Sequence, residues 1–96
     1  MHQGPTFKFR LYVADDTQNS AQALVNLKAI CRAHLAARHE IEVVSVFHDP
    51  QRALAEDIRM TPTLLILAPA PSRRIVGNLS QTQRVLEMLD LDRKFT

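Results

Sequence analysis

Apolar and polar residues alternate from Phe7 to Val13, with Phe7, Phe9, Leu11 and Val13 on one face and Lys8, Arg10 and Tyr12 on the other. A period of two predicts a strand whose first face enters a core and whose second face is wet or partly covered. The period then lengthens. Leu24, Leu27, Ile30, Cys31 and Leu35 recur at helical spacing, with Lys28, Arg32 and Arg38 on the remaining arc, which predicts an amphipathic helix over 20–37. Asn19 and Ser20, with Gln22 three residues after Asn19, suggest a capping box at its start. Ile41 to Phe47 is apolar on much of both faces, as an internal strand would be. His48, Asp49 and Pro50 then turn the chain into a short helix from Gln51 to about Ile58, anchored by Leu54 and Ile58. Leu64 to Leu67 predicts a further strand, Pro69 to Ser72 a turn, and Arg73 to Gly77 the returning strand of a hairpin. Ser80 and Gln83 form a second capping box, opening a helix whose buried stripe is Leu79, Val85, Leu86 and Leu89.

The resulting order, βαβαββα, is that of a thioredoxin-like α/β fold, with a parallel first pair and an antiparallel closing pair. Ninety-six residues, 46% hydrophobic and 23% charged, fit one globular domain over 1–96 with an ordered core at about 7–91. The net charge of +2 is spread evenly: 1–48 carries +1, 49–68 carries −1 and 69–96 carries +2. That balance, with few aromatics among the basic residues, argues against a nucleic-acid footprint. No apolar run is long enough for a membrane span and no leader pattern opens the chain, so a cytoplasmic protein is expected.

Candidate chemistry is sparse. A thioredoxin-like fold carries Cys-x-x-Cys where its first helix begins, and here that stretch is Thr17-Gln18-Asn19-Ser20. No thiolate can form there, so thiol exchange lacks its nucleophile. Cys31, the single cysteine, lies on the apolar arc of the first helix and is expected to pack as a small hydrophobe. Two glycines exclude a glycine-rich phosphate loop. His34 and His39 lack the four-residue spacing of a helical metal pair, and His2 and His48 are isolated, so no metal site is expected. Asp15 and Asp16 are read as charge near a helix start rather than an acid–base pair. Ser20 and Ser80 are read as caps, and Ser45 and Ser72 lack a nucleophile context. Thr61-Pro62 occupies the position of the cis-proline loop; a cis bond is expected, a trans proline opening the strand being the alternative. Arg73-Arg74 is either a solvated pair on an edge strand or a contact for acidic groups of a partner.

Several stretches in order resemble the KaiB family of small clock proteins. They are Leu11-Tyr12-Val13-Ala14 followed by Thr17, Asn19-Ser20 and Ala23-Leu24; Asp49-Pro50-Gln51; and Thr61-Pro62-Thr63-Leu64. The most specific runs from Pro69 through Arg73-Arg74 to Gly77-Asn78-Leu79-Ser80. Asp15-Asp16-Thr17-Gln18 replaces most of the family's usual first loop, and Asn78 stands where the family has Asp. The resemblance implies no enzymatic activity, no cofactor, and binding to a KaiC-like hexameric RecA-type ATPase on the ring of its N-terminal domains. KaiA-like and histidine-kinase partners follow from the same likeness. It also implies two folds for one sequence: a homo-oligomeric ground state, βαββααβ, and the monomeric thioredoxin-like state that binds the ATPase. The sequence is compatible with such a switch, since Leu64 to Leu67 fits a strand or a buried helix and the pattern weakens after Gln51. The N-terminal half is then the fixed part. The expected docking residues are Arg52, Glu56, Asp57 and Arg59 with Lys8 and Arg10 nearby, and Arg73 and Arg74 after them. Pro62 is a structural device and Gly77 a candidate hinge. A signalling or stress-response adaptor of the same fold is the competing class, and an oxidoreductase working through Cys31 the third.

Overall fold

β1 (Phe7–Val13) pairs along both of its edges, which its apolar composition permits, and the rest of the molecule is arranged around it. The computed structural model describes residues 5–91. After β1 come α1 (Gln18–His34), β2 (His39–Ser45), α2 (Pro50–Ala55), β3 (Thr63–Ala68), β4 (Arg73–Val76) and α3 (Thr82–Met88). The sheet order is β2-β1-β3-β4. β1 and β2 are parallel, while β1–β3 and β3–β4 are antiparallel, so the parallel pair and the closing hairpin both form as the pattern predicts.

The two faces of the sheet have separate cores. On one face Phe7, Phe9 and Leu11 of β1 and Leu64 and Ile66 of β3 meet Ala23, Leu27, Ile30, Cys31 and Leu35 of the first helical segment and Val85, Leu86 and Leu89 of the last. On the other, Tyr12, Val44, Ala53 and Leu65 form a smaller cluster beneath α2. Tyr12 is therefore fully buried, and the second face of β1 is wet only towards Lys8.

Four sequence-based expectations are corrected. β2 is an edge strand, not an internal one. Its contiguous apolar run imitates two-sided burial, yet only Val44 is buried, and Val43 remains 45% exposed. The cap of α1 is Thr17, whose hydroxyl accepts from the Ser20 amide at 3.3 Å, while the buried Ser20 hydroxyl accepts from the Ala14 amide at 3.0 Å. α1 thus starts two residues early, and it stops at His34, where Leu35 leaves the helical conformation and Ala37 adopts φ 65°. In α2, Leu54 is no anchor: it is 80% exposed, and Ala53 faces the sheet instead. Finally, α3 is preceded by Gln81 without a side-chain cap. Ser80 is not its cap; its amide donates to Asn78 Oδ1 at 3.0 Å. The Thr61–Pro62 bond is cis, as are Ala68–Pro69 and Ala70–Pro71.

Candidate docking surface

The period-two pattern places Arg10 on the α2 face of β1, and parallel pairing sets it opposite Glu42 of β2. Arg10 Nε donates to Glu42 Oε1 at 2.8 Å. Arg52 reaches the same carboxylate from α2, with Nη1 2.9 Å from Oε2 and Nη2 3.1 Å from Oε1. This fork geometry matches guanidinium to carboxylate through two parallel bonds. Hydrogen bonds from Arg52 first, then from Arg10, lower the Glu42 carboxyl from 4.5 to about 2. Asp49 lies 3.7 Å from Arg52, and Glu56 lies 3.6 Å from Arg10. A five-residue charge lattice therefore joins β1, β2 and α2, and it seats α2 over the small Tyr12 core. The Tyr12 hydroxyl, buried under it, has no hydrogen-bond partner among the described residues.

Of the residues expected at a docking surface, Arg10, Arg52 and Glu56 are brought together by this lattice. Asp57 and Arg59 pair with each other just beyond α2, with Nε–Oδ1 2.9 Å and side chains 70% and 82% exposed. Lys8 is exposed at the far end of the same face of β1. The basic pair divides. Arg74 extends to the end of α2, and Arg73 donates to the Met88 carbonyl at the end of α3. Neither is a free solvated cation. Pro62 is buried beside β3, and its carbonyl accepts the Gly77 amide at 2.9 Å.

Sequence reasoning missed Glu42, the hub of the lattice. The signal was present, since Glu42 shares its face with Val44 and Val46, but its pairing with Arg10 depends on a strand register that one strand cannot reveal. The exposed apolar residues Phe47, Leu54 and Met60, on α2 and its two flanking loops, were missed as well. They follow from the short length of α2, which covers only what lies directly beneath it.

The region that would carry thiol chemistry in a thioredoxin-like fold is occupied by helix capping at Thr17 and Ser20. Cys31 is fully buried on the opposite side of α1 from solvent, and desolvation raises its thiol to about 11. No group of three or more His, Cys, Asp or Glu side chains that could hold a metal occurs among the described residues. His34, His39 and His48 stay apart: His39 Nδ1 lies 2.8 Å from the Leu35 carbonyl and His48 Nε2 3.2 Å from Asp15, while His2 falls outside the described residues. No helix among the described residues is long and apolar enough to cross a membrane.

The loop between β4 and α3 is anchored separately. Asn26 of α1 donates to the Asn78 carbonyl at 2.8 Å, and Asn78 Nδ2 lies 3.5 Å from Asn19 Oδ1. An aspartate at position 78 could still accept from Ser80 but could not donate to Asn19.

The family model described as the KaiB domain matches residues 10–91. The circadian clock protein KaiB3 of a Synechocystis strain is 40% identical over 82 residues, covering 85% of this chain and 80% of that protein. The circadian clock oscillator protein KaiB of Synechococcus elongatus is 42% identical over 86 residues, covering 90% and 84%. Among solved structures, the N-terminal domain of Synechococcus elongatus SasA superposes with a TM-score of 0.73 at 18% identity, covering all of this chain and 94% of that one. Chloroplastic thioredoxin z gives 0.72 at 18% identity, covering 88% and 79%. At such identities these two structures establish the thioredoxin-like fold alone.

Proposed function

The chain belongs to the KaiB family of circadian clock proteins, and from that premise we propose that it is a non-enzymatic regulatory protein that docks on a KaiC-type hexameric ATPase and modulates its cycle. The observation that carries the reading is the α2 face. It is seated by the Arg10–Glu42–Arg52 lattice, yet it leaves Leu54, Met60, Asp57 and Arg59 turned outward. A charged, partly apolar surface on a fixed element suits binding, because an apolar anchor beside polar groups gives both area and register. The N-terminal capping of α1 at the position of the redox motif, and the deep burial of Cys31, support the absence of thiol catalysis.

In this reading the protein works in the cytoplasm. KaiA-like and histidine-kinase partners join or compete at the ATPase, and a homo-oligomer of rearranged fold stores the chain between encounters. Gly77 serves as the hinge of that rearrangement.

The deciding experiment measures binding of the purified chain to a KaiC-type hexamer with ATP. Wild-type protein is expected to bind, and the reversal pair Asp57→Lys and Arg59→Glu to weaken binding about tenfold, within the range of interface hot spots. A wild-type chain that leaves the hexamer unbound, whether ATP is present or not, favours the adaptor class and removes the proposal. Disulfide reductase turnover that disappears in Cys31→Ser would remove it too.

A further inference from the structure

Arg73 and Arg74 are adjacent in sequence, and a strand sends adjacent side chains to opposite faces. β4 therefore places one arginine on each side of the sheet. Arg74 spreads its guanidinium over the end of α2, with Nη2 2.9 Å from the Glu56 carbonyl and Nη1 3.3 Å from the Asp57 carbonyl. Arg73 donates on the other face to the Met88 carbonyl, at the end of α3. The last carbonyls of a helix have no partner within it, and a cation there also favours the negative end of the helix dipole.

α2 has six residues, too few to hold itself together, and it presents the proposed docking groups just past its C-terminus. Its last turn is fixed from two strands at once. Arg10 of β1 lies 3.6 Å from the Glu56 side chain, and Arg74 of β4 holds the Glu56 and Asp57 carbonyls. The hydrogen bonds of Arg73 and Arg74 among the described residues all run to backbone carbonyls. A pair that the sequence offers as a single basic contact is thus two different devices.

We infer that the basic pair has a divided role: Arg74 is a positioning residue that sets α2 and its Asp57–Arg59 end for docking, whereas Arg73 secures α3 and takes no part in docking. This rests on the docking reading above. The geometry separates it from a direct ionic contact, because a positioning residue must act on the unbound protein as well. A guanidinium can bridge two carbonyls at fixed spacing, whereas an ammonium keeps the charge without the fork.

The test combines amide exchange on the free full-length chain with binding to the hexameric ATPase, for Arg73→Ala, Arg74→Ala and Arg74→Lys. Arg74→Ala is expected to speed exchange at the Glu56, Asp57 and Ile58 amides, which close the last turn of α2. It should also weaken binding about tenfold, the scale of one or two net hydrogen bonds. Arg73→Ala should speed exchange at Leu89, Asp90 and Leu91 instead and leave binding within about twofold, below the scale of one net hydrogen bond. Arg74→Lys, which keeps the charge and is the safeguard against a misfolded alanine variant, should fall between wild type and Arg74→Ala in both measurements.

Weakened binding by Arg74→Ala with unchanged α2 exchange would mean direct contact and overturn the inference. So would an Arg74→Lys protein that binds like wild type, or an Arg73→Ala protein that binds as poorly as Arg74→Ala. Failure of the docking reading itself has a different signature, a wild-type chain that does not bind at all. Failure of this inference alone is a wild-type chain that binds and an Arg74→Ala chain that binds equally well.

Discussion

Glu42 is the residue on which most charged groups of the α2 face converge. Its carboxyl, lowered from 4.5 to about 2 by Arg52 and Arg10, binds fewer protons in the folded chain than in the unfolded one. A depressed carboxyl stabilises the fold fully above its unfolded pKa and loses that contribution as the pH falls through the folded one. The window therefore runs from about pH 4.5 down to about pH 2. The side chain is 47% exposed, so solvent screens the pairing heavily, and a contribution on the order of 1 kcal/mol is the scale expected of exposed networks. Urea unfolding of wild type and Glu42→Gln should show this gap in full at neutral pH, shrinking from about pH 4.5 downward and smallest at about pH 2, where the wild-type carboxyl is about half protonated. A gap that stays constant across that range would mean the lattice is not what depresses Glu42. Arg10 was legible from strand periodicity and Arg52 from the pattern of the short helix. What joins them was not, because Glu42 lies 32 residues from Arg10 and meets it only through parallel register.

Elements with a clean period were legible, and those defined by their neighbours were less so. β1 and α1 follow their apolar spacing, apart from the ends of α1: Thr17 and not Asn19 is its cap, which only the backbone path from Ala14 decides, and it stops at His34, short of residue 37. β2 was misplaced as internal because two-faced apolarity records residue type, not coverage. α2 and α3, at six and seven residues, are too short for a hydrophobic stripe to fix their facing, which is why Leu54 was assigned inward. Gly77 is set by the local backbone. It closes β4 with φ 121°, a conformation L side chains rarely adopt, and an added Cβ would meet nothing within 4 Å. The glycine is required by backbone angle and not by crowding, so Gly77→Ala is expected to cost about 1–3 kcal/mol through strain alone. Thermal unfolding measures this directly. A variant as stable as wild type would show that β4 can end in another conformation, which would weaken the case for a hinge there.

At the scale of the whole molecule the two halves are held differently. β1 is paired along both edges, with seven parallel partners in β2 and an antiparallel ladder to β3, and α1 packs five buried residues behind it. The later elements are short, and α2 and α3 borrow part of their support from β4 through Arg74 and Arg73. β3, buried from Thr63 to Ile66, and the buried Val85, Leu86 and Leu89 of α3 tie them to the centre. Local opening should therefore reach α2, β4 and α3 at lower free energy than β1 and α1, since protection follows burial and contact density. An alternative fold that gave up the β1–β3 ladder would need new partners for Leu64, Leu65 and Ile66, which a second copy of the chain could supply. Two packings within a few kcal/mol would then appear as two sets of amide resonances whose ratio changes with protein concentration. Uniform protection across 7–47 and 51–91, one set of resonances and a monomeric mass at every concentration would leave the chain with the thioredoxin-like fold alone. Docking would then have to proceed without refolding.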